Sequence, residues 1–234
     1  MASAEMLVAL LLSLVAVAYN NSINWWPPFQ GAAYVPANLI FSSGMAVGVA
    51  AVYDLPAYEL GLTGDLDHLG MAAAALGLFA LAVIAVAFSP LAHLIADARV
   101  EGRRGQALVY YTLIRIPLGT AVAEELIFRG ALIAAWHAAG ASQQAAAILA
   151  SAAFGLWHIA PTVMGIRMND PDAGTAKLRI GVLGGVLFTT AAGLALSWLR
   201  TSSGGLIVPI IVHAGLNSCG AVAAVAARRR ISVD

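Results

Sequence analysis

The sequence predicts an all-α fold: a polytopic transmembrane bundle of about seven helices enclosing a polar intramembrane cavity. Three observations carry this. The chain of 234 residues is 61% hydrophobic and only 10% charged, with a mean hydropathy of +0.85, whereas soluble domains carry about 25% charged residues. Its apolar stretches recur at about the 20 residues that a bilayer span requires. Finally, three polar sets lie inside those stretches: Glu124-Glu125 with Arg129, Phe154 with Trp157-His158, and His213 with Asn217. Ionisable side chains in hydrocarbon are costly, so they face a protein interior or a wet cavity and mark function.

Helices are expected at about 5–19, 34–53, 69–94, 106–137, 143–160, 178–200 and 204–227. Residues 1–103 supply N-terminal transmembrane helices, and residues 104–227 form the core carrying the polar sets, within one membrane domain. The apolar run Met6 to Tyr19 has only Glu5 before it and no small-residue cleavage site at Val17-Ala18-Tyr19-Asn20. It therefore reads as a retained span and not as a signal peptide. Trp25-Trp26-Pro27-Pro28 suits an interfacial aromatic belt, and His68 and His93 read as interfacial. The fourth stretch is too long for one straight crossing. Pro117 removes a backbone donor and should kink or split it into an interfacial helix at 106–116 and a span at 118–137, with His137 at its outer end. Pro161 should end the fifth helix just after His158. Gly44-x-x-x-Gly48 and Gly181-x-x-x-Gly185 are close-packing signals between helices.

Basic residues set the orientation. Arg99, Arg103 and Arg104 follow the third helix. Arg167, Lys177 and Arg179 follow the fifth, and Arg228, Arg229 and Arg230 end the chain. Seven spans place all three groups on one side, expected to be cytoplasmic together with the C-terminus. The loop from Asp54 to Asp67 has Asp54, Glu59, Asp65 and Asp67 without Lys or Arg and falls opposite; Arg200 is the one dissenter. Net charge is zero with no basic stripe, which argues against nucleic acid as a partner. The single Cys219 excludes an intrachain disulfide and a cysteine-rich zinc module.

Glu125 and Arg129 are four apart with the acid first, the favourable order for a helical ion pair. Glu124 lies on another face and is left to meet a cavity, where a carboxylate can serve as a general base. Phe154 and His158 share a face, so the ring can restrict the imidazole. His213 and Asn217 also share a face and offer two donors suited to an oxyanion. Trp157 lines a wall or packs. Each set also has a structural reading, as a buried ion pair, an interfacial His or an interhelical hydrogen bond. Together they suit hydrolysis of an amide. A zinc version remains open, with Glu124, His158 and His213 as ligands and a fourth position for water.

The ordered motifs Glu-Glu-x-x-x-Arg, Phe-x-x-x-His and His-x-x-x-Asn resemble the CPBP family of intramembrane proteases. That family includes the type II CAAX prenyl endopeptidases (Ras-converting enzyme) and bacterial abortive-infection proteins. The resemblance covers about Arg104 to Ala226. It implies a helical bundle whose site opens to the cytosol. It makes Glu124 the catalytic base, with Glu125 and Arg129 completing its motif. It assigns His158 to water activation and His213 with Asn217 to the oxyanion pocket. Although the family is often called a metalloprotease, a metal-free mechanism is expected here. The expected partners are membrane lipids and a hydrophobic or lipid-modified peptide substrate, in a bacterial plasma membrane. The alternatives are a non-catalytic immunity or scaffold protein using the same residues as polar glue, and a proton-coupled carrier.

Overall fold

The structure, a computed structural model, describes residues 2–63 and 68–231. Its long helices are α1 (Ala2–Ile23), α2 (Tyr34–Tyr53), α3 (Leu69–Ala87), α4 (105–138), α5 (Gln143–Trp157), α6 (Ile159–Asn169), α7 (Thr175–Ser203) and α8 (Ile207–Ile231). Helices α5 and α6 form one interrupted rod, so the described residues give the seven expected units and contain no strand. Five stretches are long and apolar enough to cross a bilayer: Ala4–Ile23, Tyr34–Tyr53, Gln143–Asn169, Thr175–Ser203 and Ile207–Ile231. Helix α3 adds a shorter apolar segment, Ala72–Ala87.

Lipid as solvent explains the distribution of side chains. Large apolar residues point outward, among them Ile40 and Val47 on α2, Leu78 and Leu81 on α3, and Ile180, Leu183 and Phe188 on α7. The interior is built of small residues, including Ala131, Ala135, Ala146, Ala150 and Ala153, which let helix backbones approach closely. Helix α4 is central, packed against α2, α5 and α8, while α5 lies along α7 and α1 along α5.

Several expected boundaries shift, each for a local reason. Helix α1 continues through Asn20 and Asn21 because their side chains bond to carbonyls of a neighbouring helix, with Asn21 also bonding back to the Val17 carbonyl one turn earlier. Helix α3 stops at Ala87, before Ser89, which is extended ahead of Pro90 and caps the next turn through Leu91 N–H. Pro117 does not split α4. Wider, π-type turns over Tyr111–Val122 and Leu126–Leu132 carry the helix past it. Pro161 does not end the fifth helix either. The break falls at His158, and Pro161 sits in the first turn of α6, where a missing N–H is tolerated. Helix α7 runs to Ser203 and ends on Gly204 in the left-handed conformation.

The Gly44-x-x-x-Gly48 expectation is overturned. A Cβ at either position would meet nothing within 4 Å, so this face of α2 seats no helix. Gly181 and Gly185 do seat one, with Ile166 and Thr162 of α6 against them.

The three basic segments meet at one end of the bundle. Arg228 bonds to Glu101 at 3.0 Å. Asn169 at the end of α6 accepts from Ala98 N–H at 2.9 Å and donates to Asp97 at 3.2 Å. Burial pushes the Asp97 carboxyl up, but bonds and charge from Arg99, with Asn169 adding its own bond, hold it below the ordinary value. Arg200, at the far end of α7, donates to the Glu59 carbonyl at 3.1 Å and lies against Gly61. Asp65 and Asp67 lie outside the described residues.

Candidate active site

The polar sets converge where α4, the α5–α6 joint and α8 meet. Glu125 is fully buried, and its Oε1 accepts from Arg129 Nη1 at 3.2 Å and from His213 Nδ1 at 2.7 Å. Arg129, also fully buried, gives its other amino group to the Gly193 carbonyl of α7 at 3.1 Å and lies 4.3 Å from the Phe154 ring centroid. The expected i,i+4 pair therefore forms, and it ties three helices together.

Glu124 is turned away from this pair. Its Oε1 accepts from the indole N–H of Trp157 at 3.1 Å. Its Oε2 is buried with no hydrogen-bond partner and lies 3.9 Å from His158 Nε2 and 3.7 Å from His213 Nε2. These spans are too long for direct hydrogen bonds but short enough for one water to bridge. The geometry also fixes the imidazoles. His158 Nδ1 faces the Phe154 carbonyl at 2.7 Å, and His213 Nδ1 faces the Glu125 carboxylate. Both partners are acceptors, so each Nδ1 carries a proton and each Nε2 is turned toward Glu124.

Phe154 packs edge-on to His158 with centroids 4.6 Å apart, and to Phe128 at 5.0 Å. The His158 side chain is 20% exposed against 7% for Glu124 and 8% for His213, so the site opens on the His158 side. Asn217 does not join the bonded cluster; it lies one turn beyond His213 on α8 with an exposed side chain. His137 bonds to the Ala141 carbonyl at the tip of α4, away from the cluster. Trp157 is the residue that sequence reasoning undervalued. It is 2% exposed and serves as a hydrogen-bond donor to Glu124, not as a wall to lipid. Among the described residues no group of three or more His, Cys, Asp or Glu is arranged to hold a metal ion, Glu124, His158 and His213 included.

Residues 105–219 match the family model of the Rce1-like proteins, described as type II CAAX prenyl endopeptidase Rce1-like. The segment 105–219 belongs to this family. The match begins at the start of α4 and ends in α8, so it contains every member of the cluster. Comparison with curated proteins and with solved structures gives no match. The Rce1-like family is one of CAAX-type intramembrane peptidases, and with five apolar helices of spanning length the protein is an integral membrane protein.

Proposed function

We propose that this Rce1-like protein is an endopeptidase in which Glu124 activates a water for attack on a peptide bond. The observation that carries the reading is the orphaned Glu124 Oε2, buried and facing two imidazole Nε2 atoms. A water between them donates one hydrogen to Glu124 and the other to His158. Its oxygen adds to the scissile carbonyl carbon as Glu124 takes the proton. Glu124 then returns that proton to the departing amine as the C–N bond breaks. With Nδ1–H committed to Glu125, His213 can donate from Nε2 only as the imidazolium. In this form His213 stabilises the oxyanion, and Asn217 on the same face of α8 supplies a second donor to bound substrate. Phe154 and Trp157 hold the ring of His158 and the carboxylate of Glu124.

The substrate class follows from the family and the setting: a hydrophobic or lipid-modified peptide tail, delivered from the bilayer. The end of the bundle bearing Arg99, Arg103, Arg104 and Arg228–Arg230 is assigned to the cytoplasm with the C-terminus, in a bacterial plasma membrane. The test is cleavage of lipid-modified and unmodified peptides by protein in liposomes, read by mass spectrometry. Cleavage by the wild type and its loss in His158→Ala at unchanged folded yield supports the reading. Equal cleavage by both overturns it.

A further inference from the structure

The joint that carries Trp157 and His158 is not closed by its own helix. In a continuous α-helix the Leu156 carbonyl would accept from Ala160 N–H, and the Trp157 carbonyl from residue 161. Residue 161 is proline and has no N–H. Two asparagines at the end of α1 take these places. Asn20, 4% exposed, donates Nδ2 to the Trp157 carbonyl at 2.8 Å. Asn21 inserts its amide between the other two groups. Its Nδ2 donates to the Leu156 carbonyl at 2.9 Å, and its Oδ1 accepts from Ala160 N–H at 2.7 Å. Asn24 holds Asn20 in turn, bonding to its side-chain oxygen at 2.7 Å.

This insertion has a consequence at the cluster. A side chain driven into the i→i−4 ladder breaks and bends a helix. Here His158 N–H bonds to Gly155, one residue short of the α-helical acceptor, at 3.1 Å. The Phe154 carbonyl is thereby available to the His158 ring, whose Nδ1 lies 2.7 Å away. That bond sets the tautomer which aims Nε2 at Glu124. If α5 and α6 relaxed into one continuous helix, His158 N–H would reclaim Phe154 and the ring would lose its partner. Both asparagines precede residue 105, where the family match begins.

We infer that Asn20 and Asn21 are positioning residues: they hold open the α5–α6 joint and so orient His158 and Trp157 toward Glu124. The inference rests on the proposed peptidase reading for its kinetic consequence but not for its structural one. The test compares Asn20→Ala and Asn21→Ala with Ser13→Ala in the full-length protein in liposomes. Ser13 lies on the same helix and accepts from Trp136 Nε1 at 3.1 Å, so its loss perturbs α1 without touching the joint. Each Asn variant should lower kcat by about 10- to 100-fold per folded molecule, the scale of a misplaced catalytic group, with little change in KM. Ser13→Ala should leave kcat unchanged. Nitrogen-labelled histidine spectra give a readout that needs no substrate. The wild type should show His158 as the Nδ1–H tautomer, and the Asn variants should mix tautomers. Unchanged His158 spectra in both Asn variants would overturn the inference even if no peptide is ever cleaved. So would equal kcat per folded molecule in the Asn variants and the wild type.

Discussion

Arg129 gives the sharpest stability prediction. Replacing it with methionine keeps an unbranched stem against Phe154 but removes the guanidinium from a fully buried site. Two hydrogen bonds go, at 3.2 Å to Glu125 and 3.1 Å to Gly193. The Gly193 carbonyl lies within α7 and retains its helical bond, so its share of the loss is small. The larger effect is on Glu125, which is left as a buried carboxylate with only His213 Nδ1 at 2.7 Å. Removing one partner of a buried pair typically costs about 3–5 kcal/mol, and Arg129→Met should fall in that range. The double variant Glu125→Gln, Arg129→Met removes both charges and should be clearly more stable than the sum of the two single losses, with coupling of about 2 kcal/mol or more. Unfolding in a defined detergent, with folded fraction read by gel filtration, measures both. A single-variant loss under about 1 kcal/mol, or strict additivity, would refute the claim that this pair bolts α4 to its neighbours.

Trp157→Phe keeps the ring but removes the N–H that Glu124 Oε1 accepts at 3.1 Å; hydrogen bonds to charged groups contribute about 1.5–3 kcal/mol, so kcat in a peptide-cleavage assay should drop by about tenfold or more. Gly155→Ala should destabilise by about 1–3 kcal/mol in thermal unfolding, because its Cβ would collide with Thr190 and approach the Val186 carbonyl to 2.8 Å. Gly44→Ala, with nothing within 4 Å, should leave stability unchanged or raise it. The Asp97 carboxyl, held below its ordinary value by Arg99 and Asn169 against the opposing effect of burial, stabilises the fold above the unfolded carboxyl range and loses that contribution as pH falls through its folded value. Asp97→Asn should therefore lower Tm at neutral pH, and the gap should close in strong acid.

The residues most expensive to place in a membrane were the most legible. Glu124, Glu125, Arg129, His158 and His213 stood out against apolar helices and are gathered into one cluster. Their partners were harder to read, because an indole or an amide carries no comparable cost and its meaning depends on what faces it. Trp157 is a wall or a donor according to how the α5–α6 joint is turned, and Asn20 and Asn21 gain a role only from the Leu156 and Trp157 carbonyls that they meet. Backbone breaks were misread for the same reason. Pro117 is absorbed by wide turns in α4, while the break near Pro161 falls three residues earlier, where Asn21 enters the ladder. Gly44 and Gly48 show that spacing alone does not say whether a small-residue face meets protein or lipid. Asn217 shares a face with His213 but not a bond, since helical spacing fixes the face and not the partner.

The most direct test of the central claim is kcat and Tm measured together for Glu124→Gln in liposomes against a peptide that the wild type cleaves. A general base contributes about 10²- to 10⁴-fold. Glu124→Gln should lose kcat by at least that order with Tm preserved, because Glu124 Oε2 makes no hydrogen bond that the fold relies on. Retained cleavage would remove Glu124 from the chemistry, and a collapse of Tm together with activity would make it structural glue.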